Sequence, residues 1–331
     1  MHALVTGAGG FLGLYIVEQL VARGDRVRAF VRRPSPALEA LGVEIVVGDI
    51  RDAEAVSRAC QKTDVVFHTA AIAGIWGPWQ RYYQTNTVGT SYVIDACRRQ
   101  NVGRLVFTSS PSVTFDGSDQ CGVDETADYP THWLAHYPHS KAMAEQEVLA
   151  AHDERGLLTC SLRPHLIWGP RDGHLVPRLI ARARAGRLRR VGNGENLIDM
   201  IYVDNAAAAH LAAADALMPG SPVGGRAYFL SQGEPVNCWQ WIDELLALAK
   251  LPPVRRSIPL RAGYALGGAL EIAYSLARID REPPMTRFLA TQLGRHHWFN
   301  IDRARADFGY APKISTAEGM QRLKQAMGSA S

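Results

Sequence analysis

The sequence predicts an α/β fold: a doubly wound parallel sheet covered by helices on both faces and followed by a smaller, mostly helical region. In the first half, short runs rich in β-branched residues alternate with longer helical patterns, which is typical of successive β-α-β units. A glycine-rich turn follows the first of these runs directly. From about Trp168 onward the alternation stops, and segments containing Pro and Gly separate the remaining helices.

The individual elements follow from this alternation. The expected strands are Ala3–Thr6, Val27–Val31, Glu44–Val47, Val65–His68, Leu105–Ser109 and Thr159–Arg163. The expected helices include Phe11–Arg23, Tyr82–Gln100, Tyr137–Arg155, Cys238–Ala249 and Thr316–Ala326. We therefore expect one domain over residues 1–168 and a second region over residues 169–331, some segments of which return to the first domain.

The composition is that of a globular protein. Of the 331 residues, 47% are hydrophobic and 21% are charged, which excludes a disordered or fibrous chain. The formal net charge of +4 gives no electrostatic case for a nucleic-acid partner. The five cysteines never occur as C-x-x-C, which favours reduced thiols in a cytoplasmic protein and no zinc site.

Two segments bear on membrane targeting. The first strand begins almost at the initiator Met, so cleavage of a signal peptide there would remove a core strand, and we expect none. Residues Ala262–Ile279 are mostly small and apolar, but Glu271 and Arg278 interrupt them, and a transmembrane helix needs about 20 apolar residues. We expect that this segment does not span a membrane. It would instead form a helix that lines an apolar substrate tunnel or touches a membrane or a partner.

The glycine turn has the sequence TGAGGFLG and lies between a strand and a helix, the context in which such a motif binds a dinucleotide. Gly7 permits the tight turn, Gly10 lets backbone amides approach a pyrophosphate, and Gly13 lets helix and strand pack closely. The N-terminus of the helix supplies partial positive charge to the phosphates. The turn therefore predicts a dinucleotide site.

The residues that follow the second strand indicate which dinucleotide is bound. A carboxylate at this place would bind the adenosine ribose 2′-hydroxyl and repel a 2′-phosphate. The chain has Val31 here, followed by Arg32 and Arg33. Because guanidinium groups suit a phosphate, we favour NADP(H) over NAD(H). The alternative is that both arginines only solvate the end of the strand.

Two further turns follow strands of the same sheet. Asp49 and Ile50 come after the third strand, where an acidic side chain can bind the adenine amino group. Ala70 and Ala71 come after the fourth strand and offer small side chains beside a cofactor. Each pair is ordinary loop chemistry by itself, and in register with the glycine turn both support the dinucleotide site.

A phenol and an ammonium lie four residues apart in the segment YPHSK, as Tyr137 and Lys141. At the start of a helix this spacing places both on one face. A free tyrosine has a pKa of about 10 and a nearby ammonium stabilises the phenolate, so we expect a lowered pKa for Tyr137 and proton exchange with a carbonyl or alcohol oxygen. Lys141 would also hold the nicotinamide ribose. Ser110, after the fifth strand, would donate a hydrogen bond to the same oxygen.

Taken together, TGAGGFLG, GDIRD, HTAA, NTVGT, VFTSS, YPHSK and RPHLIWGP resemble the motifs of extended short-chain dehydrogenases/reductases. Downstream, GNGENLIDMIYVDNAAAAH and GRAYFLSQGEPVNCWQWI resemble the 3β-hydroxysteroid dehydrogenase branch, which includes sterol-4-carboxylate dehydrogenases. Within that branch the likeness is closest to the bacterial reductases of 2-alkyl-3-oxoalkanoates in olefin biosynthesis. The resemblance spans nearly the whole chain and implies a Rossmann fold of the extended type.

The resemblance also implies roles for individual residues. Tyr137 would be the acid/base, Lys141 its partner and Ser110 the carbonyl donor, while Asn86 would support the helix that carries Tyr137 and Pro164 would shape the nicotinamide end. The cofactor-binding residues are then Gly7, Gly10, Phe11, Leu12, Gly13, Arg32, Asp49, Ile50, Ala70, Ala71, Tyr137, Lys141 and Pro164.

The loop after the fourth strand bears on the substrate. It reads AGIWGPW over residues 73–79 and suits a hydrophobic ligand better than the sugar diphosphate of the epimerases and dehydratases on the same scaffold. Trp76 and Trp79 could instead only cap the core. The relatives act on an oxygen β to a carboxylate, and the candidates to bind that carboxylate are Arg81, His139, His165 and Arg171. We expect the basic residues 178–190 to form a solvated helix and turn, or else a partner-protein surface.

Three functional hypotheses remain. The first is an NADP(H)-dependent reductase in the cytoplasm, peripheral to a membrane or in a complex with other pathway enzymes, that interconverts a long-chain 2-alkyl-3-oxo acid and its 3-hydroxy acid. The second is oxidation of a 3β-hydroxysteroid or a sterol-4-carboxylate. The third is a noncatalytic dinucleotide sensor or assembly subunit, against which the intact Ser110, Tyr137 and Lys141 argue. The resemblance implies a homodimer through helices Tyr82–Gln100 and Tyr137–Arg155.

Overall fold

The computed structural model describes residues 1–329, and its strands confirm the expected sheet. In chain order they are β1 His2–Thr6, β2 Arg26–Val31, β3 Glu44–Val47, β4 Val65–His68, β5 Arg104–Thr108, β6 Gln120–Val123, β7 Leu158–Pro164, β8 Ile167–Trp168, β9 Arg190–Val191, β10 Leu197–Ile198, β11 Ile201–Tyr202, β12 Ala227–Leu230, β13 Val236–Asn237, β14 Ser257–Ile258 and β15 His297–Phe299. The six strands expected from the sequence all form, and each end lies within one residue of its predicted position.

The helices cover the sheet and build most of the second region. In chain order they are α1 Phe11–Ala22, α2 Pro36–Ala40, α3 Ala53–Cys60, α4 Trp79–Tyr82, α5 Gly89–Arg99, α6 His136–Ala150, α7 Leu175–Arg184, α8 Val203–Ala216, α9 Cys238–Leu248, α10 Leu260–Leu276, α11 Arg287–Gly294, α12 Asp302–Phe308 and α13 Thr316–Ser329. A π-helical segment, Tyr83–Val88, joins α4 to α5, and a 3-10 turn, Pro111–Thr114, follows β5.

The main sheet has seven parallel strands in the order β12-β7-β5-β4-β1-β2-β3. The order reverses between β1 and β4, because β2 and β3 extend the sheet in one direction and β5, β7 and β12 in the other. Ligands of open α/β sheets bind in the crevice at the carboxyl ends of the strands at such a reversal. The topology therefore places the glycine turn and the segment after β4 on either side of one crevice.

Alternate residues of each central strand enter two separate cores. In β1, Ala3 and Val5 pack with α1, α8 and α12, whereas Leu4 between them packs on the opposite face with α3, α5 and α6. In β4, Phe67 belongs to the first core and Val66 to the second. Side chains of a strand alternate between the two faces of a sheet, so a strand buried on both faces is apolar throughout.

Three elements from beyond residue 168 belong to the sheet layers. The strand β12 pairs with β7 and forms the edge of the main sheet, α8 packs against α1, and α12 packs against β12 and α8. Sequence reasoning did not identify β12, because four apolar residues between turns do not distinguish a strand from a helix. The division at residue 168 stays a prediction.

The second region has its own core beside the carboxyl edge of the sheet. Trp168, Trp239 and Trp241 form its centre together with apolar residues of α7, α9 and α13. Small sheets, β13-β10-β15-β6, β11-β8 and β14-β9, tie its loops together. Within residues 1–329, none of the helices combines the length and the apolarity that crossing a bilayer requires.

Candidate active site

Two glycines of the turn, Gly7 and Gly13, are packed too tightly for any other residue. Gly7 has a φ of +69°, and a Cβ there would lie 2.8 Å from the Cα of Ala70. A Cβ on Gly13 would lie 2.3 Å from the carbonyl oxygen of Gly7. These contacts hold the turn against the segment after β4 and keep the start of α1 close to β1, as the motif predicts.

The N-terminus of α1 is open to an anion. Gly10 is its N-cap, so no side chain caps the helix, and its first turn contains no acidic residue. By contrast, Asp52 caps α3 and Asn237 caps α9 through hydrogen bonds to two backbone N–H groups each. The first N–H groups of α1 can therefore bind phosphate oxygens, and the residues of the turn fit a dinucleotide pyrophosphate.

The turns after β2 and β3 lie side by side, because Val31 pairs in register with Val47. Asp49 accepts hydrogen bonds of 3.0 and 2.7 Å from Nε and Nη2 of Arg51. These bonds, with a smaller contribution from the charge of Arg32, lower the pKa of Asp49 to about 2. Arg32 is exposed and forms no ion pair within residues 1–329. The carboxylate expected to bind adenine is thus already engaged by Arg51.

A chain of hydrogen bonds leads from the glycine turn toward α6. The hydroxyl of Thr90 donates to the carbonyl oxygen of Asn86 at 2.6 Å, so it must accept from Nε2 of His68, 2.9 Å away. Nδ1 of His68 then accepts from the hydroxyl of Thr6 at 2.7 Å. Burial lowers the pKa of His68 to about 3, so its imidazole stays neutral and keeps this one arrangement.

Asn86 continues the chain into the helix that carries the candidate acid. It lies on the π-helical segment, and its Nδ2 donates to Oγ of Ser140 on α6 at 3.0 Å and to the carbonyl oxygen of Ile72 at 3.1 Å. Its Oδ1 accepts from the N–H of Ile72 at 2.8 Å. Asn86 thus joins the segment after β4 to α6, the place the resemblance implied for it.

The three candidate catalytic residues converge at the carboxyl edge of the sheet. Tyr137, in the first turn of α6, lines the same cavity as Ser110, whose hydroxyl lies 2.8 Å from that of Ser112. Lys141, one turn further, is 2% exposed and donates from Nζ to the carbonyl oxygen of Thr108 at 2.6 Å. Its ammonium also lies 3.8 Å from the centre of the Phe107 ring.

The pKa values differ from the sequence expectation. Desolvation raises the pKa of Tyr137 above its ordinary value, and the hydrogen bond from Ser110 offsets only part of that rise. Burial also lowers the pKa of Lys141 to about 7, although the charge of Glu145 opposes this. The prediction that Lys141 lowers the pKa of Tyr137 is therefore wrong for this state of the protein, because both groups are desolvated and Lys141 bonds to a carbonyl.

The cavity at this edge has a volume of about 690 Å³ and mostly apolar walls. The loop after β4 contributes Ala73, Gly74 and Ile75, and α11 contributes Phe288 and Leu289. Its remaining walls include Ser110, Pro111, Ser112, Phe115, Gln120, Tyr137, His165, Leu166, Leu175, Pro177, Arg178, Leu179, Arg182, Leu188, Glu282, Gln292, Leu293, His297 and Phe299. The size and the lining are typical of a site for an apolar small molecule with a few polar anchors.

The two tryptophans of the loop do not line the cavity. Trp76 donates from Nε1 to the carbonyl oxygen of Ile279 at 3.0 Å, which joins the loop to the end of α10. Trp79 stacks on Tyr83 and His139. The apolar character of the cavity therefore comes from the first half of the loop and from the second region.

The expected carboxylate-binding residues are not available in the cavity. Arg171 pairs with Glu18 outside it, His139 is stacked between Trp79 and Trp133, and Arg81 does not reach its wall. Only His165 lines it, and both ring nitrogens are used, by Asp199 Oδ1 at 2.6 Å and by His297 Nδ1 at 3.1 Å. The sequence did not predict the tertiary contacts that hold these side chains elsewhere or occupy their polar atoms.

Two arginines expected in a solvated helix line the cavity instead. Arg178 and Arg182, four residues apart on α7, both contact the carboxylate of Glu282. Partial burial lowers the pKa of Arg182, and the charge of Arg178 adds to this effect. The sequence could have indicated this arrangement, because residues at positions i and i+4 of an amphipathic helix share a face.

Residues 4–257 match the sequence profile of the 3-beta hydroxysteroid dehydrogenase/isomerase family. A 2-alkyl-3-oxoalkanoate reductase of Stenotrophomonas maltophilia is 48% identical over 327 residues, which are 98% of each chain. The protein of the same name from Shewanella oneidensis is 47% identical over 333 residues, with 98% of this chain and 86% of that protein covered.

Among solved structures, that of MoeE5 in complex with UDP-glucose and NAD superimposes with a TM-score of 0.75. The match covers 100% of this chain and 99% of the other, at 24% sequence identity. At this identity the likeness shows the fold alone, a parallel sheet followed by a helical C-terminal region.

Proposed function

The chain belongs to the 3-beta hydroxysteroid dehydrogenase/isomerase family of nicotinamide-dependent oxidoreductases, and within it we propose an NADP(H)-dependent reductase of long-chain 2-alkyl-3-oxoalkanoates. The observation that carries this proposal is the mostly apolar cavity of about 690 Å³ that has Tyr137 and Ser110 in its wall and two arginines at another part of its surface. The names of the two bacterial relatives support the same substrate class.

The proposed chemistry is reduction of the C3 ketone to a secondary alcohol. A bound nicotinamide supplies the hydride. Ser110 donates a hydrogen bond to the ketone oxygen, and Tyr137 transfers the proton from its hydroxyl to that oxygen as the alcohol forms. The raised pKa of Tyr137 keeps the phenol protonated at neutral pH, which is the form that reduction needs.

The proposed cofactor contacts follow the sequence of turns along the edge of the sheet. Backbone amides from Gly10 to Gly13 bind the pyrophosphate, and Arg32 binds the adenosine 2′-phosphate. Lys141 holds the nicotinamide ribose beside Tyr137. The preference for NADP(H) is supported by the exposed, unpaired guanidinium after β2 and by the engagement of Asp49 with Arg51.

The substrate carboxylate is proposed to contact Arg178 and Arg182. These are the guanidinium groups in the cavity wall, and both now face a carboxylate of the chain itself, that of Glu282. Guanidinium groups recognise carboxylates through paired hydrogen bonds. The two alkyl chains of the substrate would lie against the apolar walls.

The test is turnover by the purified protein of a long-chain 2-alkyl-3-oxo acid with NADPH, in parallel with NADH. Because β-keto acids lose carbon dioxide, the 3-hydroxy acid with NADP⁺ is assayed as well. Turnover in both directions supports the proposal. Turnover of 3β-hydroxysteroids alone would support the second hypothesis, a steroid dehydrogenase. Tight cofactor binding without turnover of any substrate in a broad panel would support the third hypothesis, a noncatalytic dinucleotide sensor.

A place in olefin biosynthesis, a homodimer through α5 and α6, and a location in the cytoplasm stay predictions. The oligomeric state is measured directly by sedimentation of the purified chain. A pathway complex is tested by co-purification with the enzymes encoded nearby.

A further inference from the structure

Helix α10 presents an unusual concentration of apolar side chains to solvent. Tyr264, Leu266, Ile272 and Leu276 on this helix and Ile279 just after it are 38, 49, 64, 81 and 41% exposed. Of the eight large hydrophobic residues that are exposed in the described chain, five therefore lie in one segment. Single exposed apolar residues are normal, but a contiguous patch marks an interaction surface.

Leu266, Ile272 and Leu276 share one side of the helix. Alanines at positions 262, 265, 269 and 273 lie between Leu266, Ile272 and Leu276 on the exposed face, at the spacing of a helical stripe. The one charged residue between positions 262 and 277 is Glu271, which is 9% exposed on the inner face. We call this uncharged surface the outer face of α10.

The opposite side fixes the outer face in its orientation. Glu271 accepts hydrogen bonds from the backbone N–H of Arg287 at 2.7 Å and from its Nε at 2.6 Å. A Cβ on Gly267 would lie 2.5 Å from the carbonyl carbon of Thr286, so α10 packs directly on the start of α11. The outer face cannot turn inward without breaking these contacts.

Positive charge surrounds both ends of the outer face. Exposed arginines that form no ion pair within residues 1–329 flank the helix at Arg255, Arg256, Arg261, Arg278 and Arg281. The acidic residues of the same stretch are few: Asp280 is exposed, and Glu282 is held by Arg178. An apolar helix face with arginines at its borders has the chemistry of a helix that lies in the interface of an anionic bilayer.

The outer face also lies next to the cavity. The carbonyl oxygen of Ile279 accepts the hydrogen bond from Trp76, in the loop whose residues Ala73 to Ile75 line the cavity. On the other side, α11 packs against α10 and contributes Phe288 to the cavity wall. A surface bound through α10 would therefore lie beside the part of the cavity wall that this loop and Phe288 form.

We propose that α10 binds the surface of a lipid bilayer that contains anionic lipids. Its outer face enters the interfacial layer, and the flanking arginines contact the phosphates of the headgroups. A second copy of this chain would bring the same arginines together and is disfavoured by their repulsion. The bilayer would then lie next to the elements that form the apolar cavity wall.

The test is flotation of the full chain with vesicles of phosphatidylcholine alone or with phosphatidylglycerol added. The expected result is binding to the mixed vesicles that exceeds binding to phosphatidylcholine at least tenfold and falls as salt is added. The double variant Ile272→Glu and Leu276→Glu should lose at least tenfold of that binding. Met218→Glu, at an apolar site 52% exposed elsewhere on the surface, should bind as the unmodified chain does.

A second variant tests the contribution of the flanking arginines separately from that of the apolar residues. Arg278→Glu with Arg281→Glu should reduce the binding to mixed vesicles and its dependence on salt, even if the first variant is unstable. Absence of binding by the unmodified chain, or an equal loss in Met218→Glu, overturns the proposal. The unmodified chain could instead self-associate without binding vesicles, and the Ile272→Glu, Leu276→Glu variant could abolish this self-association. That result would show that the outer face binds a second copy of the chain, and it would also overturn the proposal. The assay contains no substrate or cofactor, so it is independent of the reductase activity.

Discussion

Lys141 donates its hydrogen bond to the carbonyl oxygen of Thr108, the last residue of β5, at 2.6 Å, and not to Tyr137. The ammonium is thereby held beneath the cavity by the sheet itself. Its burial lowers its pKa to about 7, because a positive charge on this buried side chain is unfavourable. The proposed contact with the ribose would supply hydrogen bonds that a buried ammonium lacks.

The first prediction concerns Lys141→Met. The folded-state pKa of Lys141 lies below its unfolded value, so its charge destabilises the fold fully below pH 7, and this effect disappears as the pH rises toward about 10.4. We expect the variant to be more stable by about 1–3 kcal/mol at neutral pH and to lose the rise in stability above pH 7. Urea denaturation at several pH values measures both effects.

Lys324→Met is the control, because Lys324 is exposed on α13. It should leave the pH dependence unchanged. A Lys141→Met variant that shows the same rise in stability above pH 7 as the unmodified chain would contradict the assignment of that rise to Lys141.

The second prediction is that Tyr137→Phe lowers kcat/KM for the keto acid by about 10²–10⁴, because the variant has no proton to transfer. The dissociation constant of the cofactor, measured by its fluorescence, should change much less. Tyr83→Phe is the matched control, since Tyr83 stacks on Trp79 outside the cavity wall. Turnover of Tyr137→Phe close to that of the unmodified protein would refute the proton-transfer role.

The third prediction is that Arg32→Glu reverses or abolishes the preference for NADPH over NADH. A carboxylate after β2 repels the 2′-phosphate and can bind the ribose hydroxyls. We expect the ratio of the two kcat/KM values to fall at least about tenfold. Arg58→Glu, an equal change of charge on α3, should leave the ratio as it is. An unchanged ratio in Arg32→Glu shows that this residue only solvates the strand end.

The fourth prediction is that Gly13→Ala destabilises the fold by about 1–3 kcal/mol and weakens cofactor binding. The added Cβ would meet the carbonyl oxygen of Gly7 at 2.3 Å, so the turn and α1 must separate. Gly328→Ala, where a Cβ would meet nothing within 4 Å, is the control. Thermal unfolding and cofactor titration give the two readouts, and unaltered values for Gly13→Ala would rule out the tight packing described.

The fifth prediction is that Arg182→Gln raises KM for the keto acid about tenfold or more and has little effect on its methyl ester. The ester lacks the charge that the guanidinium is proposed to bind. Arg184→Gln is the control, because Arg184 lies on the same helix but outside the cavity wall. Equal effects of Arg182→Gln on acid and ester would remove Arg182 as the carboxylate-binding residue.

The amino-acid sequence determined the sheet and the candidate catalytic groups. Strands β1 to β5 and β7 were predictable because each is a short apolar run with turns at both ends, and the spacing of Tyr137 and Lys141 placed both on one helix face. The glycine turn was predictable for the same local reason, since its backbone geometry excludes side chains at fixed positions.

Only the tertiary structure decided which charged groups meet in the cavity. Arg178 and Arg182 reach its wall because α7 packs against α9 and β8, whereas Arg171 pairs with Glu18 and both nitrogens of His165 are engaged. The same holds for the pKa of Tyr137, which depends on desolvation by distant segments. Secondary structure and turns depend on neighbours along the chain, but desolvation and ion pairing depend on residues that folding brings together.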